Sequence, residues 1–225
     1  MERWRSPEPL FLDRVDAGRQ LGEALLDERG PDRVVVGLAR GGVQVAAQVA
    51  RALEAPLDVV AVRKVRHPWQ PEYALGAVTP GDGVYVRGSD GLTGEQVAQA
   101  VATAKEQALE LDRRLHARRA GMSLEGKTAI LVDDGLATGA TMIAAARWAK
   151  AARAARVVAA VPVAAAESAR LLQQEADDVV VLHTPRSFFG VAAWYVRFPQ
   201  LDDADVLELL DDAVGRREEA PGRRT

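Results

Sequence analysis

The chain has 225 residues, 48% of them hydrophobic and 27% charged, with a formal net charge of −3. That is enough for one globular domain with its own core, and the near-neutral balance gives no pull toward nucleic acid or an anionic membrane. Cysteine is absent, which excludes disulfides, cysteine-held zinc and a thiol nucleophile.

In chain order, the opening Met1-Glu2-Arg3-Trp4-Arg5 runs into proline and aspartate, not an apolar segment, so it does not read as a signal peptide. Residues 13–28 carry an apolar stripe at Val15, Leu21, Ala24 and Leu25, the period of a helix. Residues 33–38 form a short β-branched run, a buried strand, broken by Gly41-Gly42, with a helix following over 43–53. A second strand is predicted at 57–62. Residues 64–91 are rich in Pro and Gly and read as irregular, with short strand candidates at 73–78 and 83–87. A long helix is predicted from Thr93 to about Arg119, with Thr93 and Gln96 at capping-box spacing. Strands are then predicted at 128–132, 156–163 and 179–182, alternating with helices at 140–152, 165–175 and 203–214.

Strands alternating with helices imply a mostly parallel sheet of about five strands flanked by helices, an α/β fold. Ligands bind such sheets beyond the carboxyl ends of the strands. The expected domain covers 1–215, with a small hood from parts of 1–30 and 183–200, a flexible loop near 64–91 and a frayed tail over 216–225. No apolar run approaches the roughly 20 residues of a bilayer span, so the expected location is the cytoplasm. Asparagine is also absent, and lysine occurs only at 64, 105, 127 and 150. A high working temperature and a GC-rich genome explain this equally well.

The chemistry concentrates in Leu131-Val132-Asp133-Asp134-Gly135-Leu136-Ala137-Thr138-Gly139-Ala140-Thr141. Two adjacent carboxylates at a strand end need cations, hydroxyl donors or water. The amides of Ala137, Thr138, Gly139, Ala140 and Thr141 stand at a helix N-terminus, which attracts phosphate. An acidic end for a polyol and a phosphate cradle a few residues on suit a sugar phosphate.

This segment resembles the signature of the type I phosphoribosyltransferase family, and the resemblance extends over about 30–200. It lies nearest a bacterial branch whose acceptor is unassigned. The resemblance implies that Asp133 and Asp134 hold the ribose hydroxyls of phosphoribosyl diphosphate and touch Mg²⁺ mainly as a second shell. Residues 137–141 would wrap the 5′-phosphate. In the 6-oxopurine branch position 137 is Asp; here it is Ala137, which argues against hypoxanthine, guanine and xanthine.

Ala39-Arg40-Gly41-Gly42 places a guanidinium and exposed amides at a helix start, which suits a diphosphate. By resemblance Arg40, Gly41 and Gly42 would bind pyrophosphate, with a cis bond at Ala39–Arg40. Arg63 and Lys64 are the basic residues expected to meet the same group. Residues 65–72 read as a mobile flap that excludes water. His67 within it reads as a surface group with no assigned role as a base. Phe188, Phe189, Trp194 and Tyr195 are the aromatic candidates for the nitrogenous acceptor.

The implied reaction passes a phosphoribosyl group from phosphoribosyl diphosphate to a nitrogenous acceptor, releasing pyrophosphate, with Mg²⁺ as cofactor and a homodimer or larger oligomer as the state. The alternative is a phosphoribosyl-diphosphate-sensing regulator with reduced or no catalysis. Its best nucleic-acid face would be Arg113, Arg114, Arg118 and Arg119, which reads rather as a solvated helix face. A generic nucleotide module lacks support, because no Gly-rich loop ends in Lys-Ser/Thr.

Overall fold

The computed structural model describes residues 8–219. The β-branched runs form a parallel sheet of five strands in the order β2-β1-β6-β7-β8. These strands are β1 (Arg33–Leu38), β2 (Leu57–Val60), β6 (Thr128–Val132), β7 (Arg156–Val163) and β8 (Asp178–His183). Both sheet faces are buried, as parallel strands require. One face packs Val35, Ile130 and Val158 against helices α1 (Arg14–Ala24), α2 (Gly41–Leu53) and α6 (Asp203–Glu219). The opposite face packs Val36, Leu131 and Ala159 against α4 (Ala140–Ala151) and α5 (Ala166–Leu172).

The strand order decides where a ligand can enter. From β1 the chain passes through α2 to β2 on one side, while β6 lies on the other side of β1. The helices that follow β1 and β6, α2 and α4, pack on opposite faces of the sheet, which makes the carboxyl ends of these two strands the sheet's topological switch point.

Several expected boundaries shift. The first helix ends at Ala24 and continues as a short 3₁₀ turn over Leu26–Glu28. The last helix runs on to Glu219, so 216–219 are helical; the remainder of the expected tail lies outside the described residues.

The larger correction concerns 64–91. The strand candidates at 73–78 and 83–87 appear as β4 (Gln70–Val78) and β5 (Val84–Val86), but the start of the stretch is not irregular: it forms β3 (Arg63–His67), and the three strands make an antiparallel sheet. It packs Val65, Leu75 and Val78 against Ala104 and Ala108 of α3 (Gly94–Leu115). Pro71 sits within β4 and glycines within and around it, which is what made the composition read as loop. His67 is buried at the hairpin end, 5% exposed, and its Nδ1 accepts from the Trp69 amide at 3.3 Å, so it is not a surface group. Helix α3 carries the expected capping box of Thr93 and Gln96, a device worth about 1 kcal/mol. No helix among the described residues is long and apolar enough to cross a membrane.

Candidate active site

The acidic pair leaves the end of β6 into the switch-point crevice. Oδ1 of Asp133 accepts from the Asp134 amide at 2.9 Å, and its Oδ2 lies 3.5 Å from the Thr141 hydroxyl. Burial and the neighbouring Asp134 charge push the Asp133 carboxyl well above the usual range. Burial also raises Asp134, and Arg14 opposes that rise.

Arg14 has no motif around it and escapes sequence reasoning. It comes from α1, is 5% exposed, and its Nε donates to Asp134 Oδ2 at 2.8 Å. A terminal nitrogen donates to the Pro199 carbonyl at 2.6 Å, and the guanidinium lies 3.7 Å from the centre of the Phe198 ring. One buried cation thus joins the N-terminal helix, the acidic loop and the end of the hood at Phe198 and Pro199.

The loop after β6 is pinned at two further points. Leu136 exchanges backbone hydrogen bonds with Val163 and Ala165, both 2.9 Å. Ser168 of α5 donates to the Ala137 carbonyl at 2.7 Å. Gly139, at φ 79°, is the N-cap of α4 and no side chain caps the helix, so the first-turn amides keep their donors. Ala137 and Thr138 are exposed beside them.

The loop after β1 lies against this acidic loop with no room between. A β-carbon on Gly41 would stand 2.1 Å from Asp134 Oδ2, and one on Gly42 would stand 2.6 Å from the Val132 carbonyl oxygen. Only glycine fits at either position. The Ala39–Arg40 peptide bond is cis, as the resemblance implies.

Arg40 itself is not free. Its Nε donates to Asp203 Oδ1 at 2.7 Å, and Arg114 donates to the other oxygen at 2.8 Å. Asp203 was not legible in the sequence, since its partners lie far away along the chain. The Arg63 guanidinium lies in the field of Arg40, Asp203 and Arg114; burial and then the Arg40 and Arg114 charges lower its pKa, and Asp203 opposes them. Lys64 is exposed and its charge acts on Asp133. The structure thus brings Arg40, Arg63 and Lys64 to the rim of one crevice.

The aromatic candidates divide. Trp194 and Tyr195 are buried, 7% and 5% exposed, in an apolar cluster with Phe11, Ala17 and Val163. The Tyr195 hydroxyl donates to the Asp134 carbonyl at 2.5 Å, so this ring props the acidic loop. Burial raises the Tyr195 phenol above its usual value. Phe188 packs on the same cluster 6.2 Å from the Trp194 ring, while Phe189 is 58% exposed. Val191 presses on the space above Gly135, where a β-carbon would meet it at 2.6 Å. The hood therefore touches the acidic loop directly.

Among the described residues no group of three or more His, Cys, Asp or Glu forms a metal cage. The two carboxylates, partly engaged by Arg14 and by backbone, suit a cation held mainly by water and ligand oxygens, which is the habit of Mg²⁺. The four arginines near the end of α3 are each paired: Arg113 with Glu110, Arg114 with Glu110 and Asp203, Arg118 with Asp211, and Arg119 with Asp58.

Comparison with known proteins gives the chain's family. The model of the phosphoribosyl transferase domain matches residues 13–196. Two Mycobacterium tuberculosis proteins, from strains CDC 1551 and H37Rv, are each 46% identical over 209 residues and carry the name "Putative phosphoribosyl transferase". The match covers 91% of this chain and 47% of theirs, so the chain spans about half the length of these relatives. The crystal structure of TT1426 from Thermus thermophilus superposes with a TM-score of 0.77 at 39% identity, over 90% of this chain and 98% of that one. The chain belongs to the phosphoribosyl transferase domain family.

Proposed function

We propose that the chain binds 5-phosphoribosyl 1-diphosphate with Mg²⁺ and transfers the phosphoribosyl group to a nitrogenous acceptor, releasing pyrophosphate. The carrying observation is the contact between the two loops at the switch point. The acidic pair lies against Gly41 and Gly42 so closely that no side chain fits between. A ligand spanning that seam meets carboxylates, glycine amides and the uncapped start of α4 together. Phosphoribosyl diphosphate carries hydroxyls, a diphosphate and a 5′-phosphate in that relation.

In this reading residues 137–141 hold the 5′-phosphate through amides and hydroxyls. Asp133 and Asp134 accept from the ribose hydroxyls and meet the hydrated cation through water. When bound, Mg²⁺ supplies charge neutralisation to the diphosphate as it leaves. Arg40, Gly41 and Gly42, with Arg63 and Lys64, take the diphosphate. The anomeric carbon passes through an oxocarbenium-like state, so the protein acts mainly by positioning and by managing charge. The acceptor enters under the hood, where Phe188 and Phe189 are the more accessible rings. The buried indole N–H of Trp194, which has no hydrogen-bond partner among the described residues, is an unused donor in the same hood. Ala137 supplies no carboxylate toward the acceptor, which disfavours 6-oxopurines.

The test is a pyrophosphate-release screen with phosphoribosyl diphosphate, Mg²⁺ and purine, pyrimidine or aromatic amine acceptors. Release with one acceptor class supports transfer. Donor binding with no release from any acceptor favours a donor-sensing protein instead.

A further inference from the structure

Helix α6 places Asp203 in an unusual position. Its first turn is already capped without that residue: the Asp202 amide donates to Asp205 Oδ2 at 2.8 Å, and the Asp205 amide donates to Asp202 Oδ1 at 2.9 Å. The Asp203 carboxylate is therefore spare for other partners. Its two oxygens each take one guanidinium, Arg40 at 2.7 Å and Arg114 at 2.8 Å. Arg40 is the N-cap residue of α2 and the basic member of the glycine loop. Glu110 pairs with Arg114 from the other side at 3.0 Å. Arg63 is part-buried beside this group, repelled by Arg40 and Arg114 and attracted by Asp203.

We propose that Asp203 is a built-in stand-in for diphosphate: it holds Arg40 when no diphosphate is bound and competes with diphosphate for it. The inference rests on the reading of Arg40, Gly41 and Gly42 as the diphosphate loop. A carboxylate offers two oxygens and one charge. A diphosphate offers more of both and forms stronger charge-assisted hydrogen bonds with guanidinium, so it displaces Asp203. The exchange is easy because the pair is only partly buried, with side-chain exposures of 39% and 26%. As pyrophosphate leaves, Asp203 retakes Arg40. Asp203 is thus a positioning residue that limits how tightly product is held.

A purely structural role, fastening α6 to the body, predicts the opposite sign, since loosening the helix would weaken the site. The experiment is calorimetric titration of the whole chain with inorganic pyrophosphate and Mg²⁺. It compares the wild type, Asp203→Asn, Arg40→Gln and the double variant. Asp203→Asn is expected to tighten pyrophosphate about 2- to 5-fold, the range of a partly exposed ion pair. That gain is expected to vanish in the Arg40→Gln background. Equal or weaker binding by Asp203→Asn, or a gain that persists without Arg40, overturns the proposal. Absence of pyrophosphate binding by the wild type overturns it together with the diphosphate-loop reading. Wild-type binding without the gain overturns the stand-in role alone.

Discussion

Two neighbouring carboxylates in a buried crevice are held there by one arginine and a set of backbone donors. Burial alone drives both carboxyls toward the neutral form, and the Arg14 ion pair pulls Asp134 back. Removing one partner of such a pair leaves an uncompensated buried group, which costs about 3–5 kcal/mol. Arg14→Met is therefore expected to lose on the order of 3 kcal/mol in urea unfolding. The Arg14→Met/Asp134→Asn double variant should recover much of that loss. Additive losses would show that the two side chains do not interact. Gly41→Ala sets a methyl against Asp134 Oδ2. It is expected to weaken phosphoribosyl diphosphate binding at least about tenfold by calorimetry, by displacing the carboxylate. At this scale the sequence disclosed the residues that share a motif. Asp133, Asp134 and the 137–141 loop are contiguous, so their chemistry is legible as a string. Arg14 and Asp203 are not, because each meets its partner across more than a hundred residues (120 to Asp134, 163 to Arg40) and nothing local marks it.

The antiparallel sheet was legible only in part: the strand candidates at 73–78 and 83–87 match β4 and β5, but β3 and the first residues of β4 read as loop, and nothing in the sequence showed that Leu75 is fully buried against α3. What the sequence lacked was the partner: a face pairs with a helix only once the helix is placed. Leu75→Ala is expected to cost about 2–5 kcal/mol, measurable by chemical denaturation; a loop residue would cost almost nothing. By contrast, Thr93 and Gln96 form a local device, and the start of α3 was legible for that reason. The other end of α3 was not. There His116 bridges Asp112 at 3.1 Å and Asp58 at 3.3 Å, and those hydrogen bonds raise its imidazole to about 10 against opposing burial. A base with a raised folded-state pKa stabilises fully below its unfolded value of about 6.5 and loses that contribution as pH climbs toward 10. The Tm is expected to fall by at least about 5 °C between roughly pH 6.5 and 10. His116→Gln should flatten that limb, and an unchanged slope would remove His116 as its cause.

At the scale of the whole molecule, β6 pairs with β1 on the side away from β2, and this order sets the acidic loop against the glycine loop at the switch point. Alternating strands and helices announced a parallel sheet, so the fold class was legible. The strand order was not, because it depends on which strand pairs with which across the chain. The hood is least legible: in sequence its aromatic residues suit either packing or an acceptor, and only the structure shows Trp194 and Tyr195 buried, with Tyr195 bracing the acidic loop. The central claim is that this crevice binds phosphoribosyl diphosphate through the acidic pair. Calorimetric titration with phosphoribosyl diphosphate and Mg²⁺ tests it most directly, comparing the wild type with Asp133→Ala and Asp134→Ala, each checked for a retained fold. Saturable binding by the wild type that weakens about 100-fold or more in both folded variants is the predicted result, and unchanged affinity in either would contradict it.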